Sequence, residues 1–127
     1  MTTVDVLHAG YTGERVGSTI VLVRGDGDAT IVVDPGLVRT RSLILDPLTV
    51  RGVAPEAVTH VFVSHHHLDH TLNIALFPNA EVIDFESRFR DDQWLEGLAP
   101  SFAALNNEDG ISPVSYTHLT LPTICSV

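Results

Sequence analysis

The chain has 127 residues, enough for one domain that buries roughly two-thirds of its unfolded surface but not for two. Sixteen acidic residues against seven basic ones, all seven of them arginine, give a net charge of −9, so a nucleic-acid surface is not supported by this segment. One cysteine, Cys125, excludes an internal disulfide and a cysteine-rich metal cluster; no N-terminal leader pattern and no run of membrane-spanning length is present, so the expectation is a soluble, cytoplasmic protein without a membrane partner.

In chain order, Val4 to His8 alternates apolar and polar residues and reads as a short half-buried strand, broken by Ala9-Gly10-Tyr11-Thr12-Gly13. Ser18 to Arg24 and Thr30 to Asp34 are β-branched runs separated by Gly25-Asp26-Gly27-Asp28, the pattern of an antiparallel hairpin. Arg39 to Val50 has helical spacing, with Asp46-Pro47 expected to kink it or end it early. Pro55 to Val58 reads as one helical turn. A short buried strand follows at Val61-Phe62-Val63, then a helix over 71–77 and another strand over 80–85. Arg88 to Trp94 is polar and reads as a loop or a surface helix, with Trp94 packing an amphipathic turn or lining a pocket.

The chemistry concentrates where the central strand ends. In Ser64-His65-His66-His67-Leu68-Asp69-His70, five of the six residues after Ser64 can bind a divalent cation. Imidazole and carboxylate together suit zinc, iron or manganese, whereas calcium or magnesium favours an oxygen shell. Residues two apart in extended chain point the same way, so His65 and His67 can converge on one ion while His66 points elsewhere. Asp69 and His70, past the bend, can face a second. Isolated histidines are more often surface or core residues, but this density directly after an apolar strand outweighs that reading.

His65, His67, Asp69 and His70 resemble the H-x-H-x-D-H signature of the metallo-β-lactamase superfamily, and Val32-Val33-Asp34-Pro35-Gly36 resembles its earlier motif. The resemblance covers about the first 110 residues. It implies an α/β fold: one half of an αββα sandwich, a mixed β-sheet flanked by helices. It implies two zinc ions per complete site, with iron or manganese as alternatives, and Asp34 holding a ligating histidine from behind. The implied activity is metal-dependent hydrolysis of a small molecule, a thioester, lactone or phosphodiester, with Asp69 orienting the attacking hydroxide. Two other readings are a di-iron redox member of the superfamily and a non-catalytic metal-binding fragment.

The resemblance also implies later metal ligands that this chain does not supply; His118 lacks the glycine expected before it and is not assigned. Residues 1–112 are therefore expected to form the N-terminal part of such a domain, with the fragment itself inactive and prone to self-association through exposed strand surface. Residues 113–127 contain no glycine and no acidic or basic residue, resemble translated sequencing-adapter DNA, and are set apart as a non-native tail.

Overall fold

The computed structural model describes residues 1–84 and 87–95. Among them run seven strands: β1 (Thr3–His8), β2 (Ile20–Arg24), β3 (Thr30–Val33), β4 (His60–Val63), β5 (Glu81–Asp84), β6 (Ser87–Arg90) and β7 (Gln93–Leu95). They lie in sequence order in one sheet. β1–β2, β2–β3, β5–β6 and β6–β7 pair antiparallel, while β3–β4 and β4–β5 pair parallel, so the sheet is mixed. The parallel steps need crossovers. Helix α1 (Ser42–Val50) lies between β3 and β4, and helix α2 (Leu68–Thr71) with a following 3-10 turn, Ile74–Leu76, lies between β4 and β5.

Alternation along the strands decides which face is covered. Leu22, Val32 and Val61 stand opposite one another across β2, β3 and β4 and are fully buried. With Leu7, Ile20 and Val63 they pack against Ile44 and Leu48 of α1, Val58, and Phe77. The other face is less covered. There Val4 and Val6 of β1 are 65% and 56% exposed, and Ile31 and Phe62 are half-buried around Ile83. The α/β class and mixed sheet stand as expected from the sequence.

Three local expectations are corrected. α1 begins at Ser42 and runs through Pro47 to Val50, so Pro47 does not end it early. A proline on a helix removes one backbone donor, and burial of Ile44 and Leu48 on either side of it anchors both halves. α2 begins at Leu68, not at residue 71, so Asp69 and His70 sit in its first turn rather than before it. Arg88 to Trp94 is neither loop nor helix but the β6–β7 hairpin, closed at Asp91-Asp92 with Arg90 opposite Gln93. Asp91 takes the positive φ of 52° that such a tight turn requires, and aspartate tolerates it better than most residues. Trp94 lies on β7, 74% exposed and stacked on Phe89. The segment 113–127, with His118 and Cys125, lies outside the described residues.

Candidate metal centre

Strand β4 is held between two parallel neighbours, which fixes the direction in which it delivers Ser64 and His65 to the end of the sheet. His65 is 3% exposed. Its Nδ1 lies 3.3 Å from the Ser64 hydroxyl, and its Nε2 is buried with no hydrogen-bond partner. Burial, and to a lesser degree the neighbouring His70 and His67, lower its pKa below the ordinary histidine value, against opposing pulls from Asp34 and Asp69. A neutral imidazole with an orphaned ring nitrogen is the state a metal ligand needs.

His65, Asp69 and His70 each offer one ligand atom, and these atoms lie within 4.8 Å of one another. The rings of His65 and His70 are 3.9 Å apart between centroids, and His70 Nε2 is 3.3 Å from Asp69 Oδ2. The chemistry of the set, two imidazoles and a carboxylate around an unsatisfied buried nitrogen, fits a divalent transition metal.

His67 falls outside that group. It is exposed, at the entrance to α2, with its ring 4.6 Å from that of His65. His66 turns the other way, its Nε2 2.7 Å from Asp84 Oδ2 at the end of β5.

Behind the centre stands Asp34, 6% exposed and with a positive φ of 53°. One carboxylate oxygen accepts the Ser64 backbone N–H at 2.7 Å; the other accepts the Ser64 hydroxyl at 2.5 Å and lies 2.9 Å from His70 Nδ1. A carboxylate can only accept, so the Nδ1 of His70 carries the proton and its Nε2 is the free lone pair when the ring is neutral.

Residues 13–85 match the Metallo-beta-lactamase superfamily, a span that takes in Asp34 and the whole histidine stretch. The chain belongs to that superfamily. Metallo-beta-lactamase domain-containing protein 1 of Xenopus laevis is 38% identical over 85 residues, 63% of this chain and 36% of that protein. The human protein of the same name is 43% identical over 53 residues, 42% of this chain and 20% of its own length. The crystal structure of a Thermotoga maritima protein assigned as a metallo-beta-lactamase superposes with a TM-score of 0.55 at 28% identity, over 64% of this chain and 42% of that one. The chain thus spans about a third or less of the length of these curated relatives.

In this superfamily member several contacts that position the centre are not local in sequence. Gly36 packs so closely on α2 that a Cβ there would stand 1.8 Å from the Asp69 carbonyl oxygen. The Leu37 N–H donates to that same carbonyl, Asn73 donates through its side chain to the Gly36 carbonyl and through its N–H to that of Pro35, and Arg41 donates to Asn73. Asn73 is buried, which an asparagine between Leu72 and Ile74 does not announce. A cavity of about 350 Å³ opens beside the centre, lined by Asp69 and His70 together with Gly10, Tyr11, Thr12 and Gly17 to Thr19. Among the described residues no helix is long and apolar enough to cross a membrane.

Proposed function

We propose that this chain carries part of the metal centre of a metal-dependent hydrolase, with zinc as the ion and a thioester, lactone or phosphodiester as the substrate class. The observation that carries this reading is the buried, unpartnered Nε2 of His65 grouped with Asp69 and with a His70 whose other nitrogen is held by Asp34. The chemistry a divalent ion supplies there is Lewis-acid polarisation and a nucleophile at neutral pH.

The chain's own residues do the rest. Asp34 fixes the tautomer and aim of His70, and burial keeps the His65 imidazole neutral. Asp69, half-buried on the cavity wall, would orient the nucleophile. His67, exposed at the rim, would extend the set toward the first ion, with Asp69 and His70 shared toward a second. Because the chain spans only a fraction of its relatives' length, the complete ligand set and the turnover number belong to the whole protein.

The test is to purify both the 127-residue chain and the longest form its gene encodes, strip each with chelator, and reload with zinc, manganese or iron. Ester, thioester, lactone and phosphodiester hydrolysis is then measured. The longer form should hydrolyse at least one class only when loaded, and His67→Ala or Asp69→Ala should abolish it. Hydrolysis that survives chelation, or that both substitutions leave intact, sinks the reading.

A further inference from the structure

A second cavity of about 440 Å³ adjoins the first, since Tyr11 and Thr12 line both. Its remaining wall includes His8, Leu43 and two arginines, Arg15 and Arg39. The arginines of this chain are not equivalent. Arg24 and Arg51 pair with Asp5, Arg88 and Arg90 with Glu81, and Arg41 donates to Asn73. Arg15 and Arg39 alone form no ion pair or hydrogen bond among the described residues, and both line this one cavity. No acidic residue lines it among the described residues.

In a chain of net charge −9, two guanidinium groups that line one cavity with neutral polar, aromatic and apolar neighbours form a local positive site. Guanidinium groups present forked donors that match the oxygens of carboxylate or phosphate. Tyr11, 38% exposed and edge-on to His8 with ring centroids 5.7 Å apart, stands between this cavity and the one at Asp69 and His70. Its ring offers an apolar surface for whatever links the two.

We infer that Arg15 and Arg39 form an anion-recognition subsite, so that the substrate carries a carboxylate or phosphate group, joined past Tyr11 to the bond cleaved at the metal centre. The subsite's role in catalysis rests on the hydrolase reading; its capacity to bind an anion does not. Tyr11 is a positioning residue in this arrangement. The loop from Ala9 to Val16, which reads in sequence only as a break between strands, becomes the wall that selects substrate.

The experiment titrates the 127-residue protein with inorganic phosphate and, separately, with acetate, following the arginine Nε–H resonances by NMR at low salt. Chloride at matched ionic strength is the control. Saturable shifts should appear at Arg15 and Arg39 and not at Arg24 or Arg51, and the relative affinities tell phosphate from carboxylate. Removing both charge-assisted contacts in Arg15→Gln/Arg39→Gln should weaken binding roughly tenfold or more, while zinc affinity stays unchanged. Shifts that do not saturate, that spread equally over all arginines, or that persist in the double variant overturn the inference. Saturable anion binding in a protein that takes up no zinc would instead remove the hydrolase reading and leave the subsite standing.

Discussion

The carboxylate of Asp34 and the imidazole of His70 are 36 residues apart in sequence and 2.9 Å apart in space, both buried. The link joins the end of β3 to the first turn of α2, and it makes the aim of His70 Nε2 depend on a residue outside the His65, Asp69 and His70 group. Asp34 reaches this position only because its backbone adopts φ 53°, with its N–H donated to Phe62 and its carbonyl accepting the Ser18 hydroxyl.

Replacing Asp34 tests that dependence. Asp34→Ala strands the Ser64 N–H, the Ser64 hydroxyl and His70 Nδ1 in a buried site, and we expect a loss of about 3–5 kcal/mol in urea unfolding. Asp34→Asn keeps the shape but can donate as well as accept, and should mainly weaken zinc affinity, by about 10–100-fold. Equal stability for the alanine variant and wild type would mean the three contacts are not made in solution.

Gly36 offers a steric counterpart. A methyl group at 1.8 Å from the Asp69 carbonyl oxygen cannot be accommodated by rotating a side chain, because the obstacle is backbone. Gly36→Ala should therefore push α2 outward, costing about 1–3 kcal/mol and lowering zinc affinity at the same time. Gly27→Ala, where a Cβ meets nothing within 4 Å, is the control and should stay within about 0.5 kcal/mol of wild type.

These two residues also show what the sequence could and could not disclose. Asp34 and Gly36 are visible as a strand-ending Asp-Pro-Gly, and His65 to His70 as a ligand-rich run after an apolar strand, because both are local patterns. Why position 36 must be glycine is not local: it depends on α2 arriving from 33 residues downstream. Ser64 and Asn73 were missed for the same reason, being ordinary polar residues until the fold buries them against Asp34 and Gly36. The β6–β7 hairpin escaped because Arg88 and Arg90 supply the alternate positions of β6 with charge. Their partner Glu81, buried on β5, is what allows them to serve as strand residues.

Acidification should reveal the half-buried His60 and the buried His65. His60 has a pKa lowered from 6.5, first by burial and then by Arg90 and Arg88, with Glu81 opposing. The folded state thus takes up its proton later than the unfolded state does. Its contribution is fully present above 6.5 and is lost as pH falls from 6.5 through the lowered value; His65 acts with the same sign in the metal-free protein. Urea midpoints of the metal-free chain should drop as the pH falls below 6.5, above the range where most carboxylates titrate. His60→Gln should flatten part of that drop. A midpoint that rises on acidification across this window would contradict the burial of both rings.

Metal binding gives the most direct check on the grouping of ligands. An ion that binds only the folded chain stabilises it by about 2.7 kcal/mol at 100 times its dissociation constant, so zinc should raise the unfolding midpoint and chelator should reverse the gain. His65→Ala and His70→Ala each remove a buried ligand atom from the group that also contains Asp69, and should erase the zinc-dependent increment. His66→Ala should keep it, since that ring is engaged with Asp84 on the far side. His67→Ala is the discriminating variant. Its ring touches that of His65 from an exposed position, so a weakened but measurable increment is expected, as for a ligand that swings in when the ion arrives. An increment equal to that of wild type would confine the ion to His65, Asp69 and His70, and one that vanishes entirely would make His67 as necessary as the buried pair.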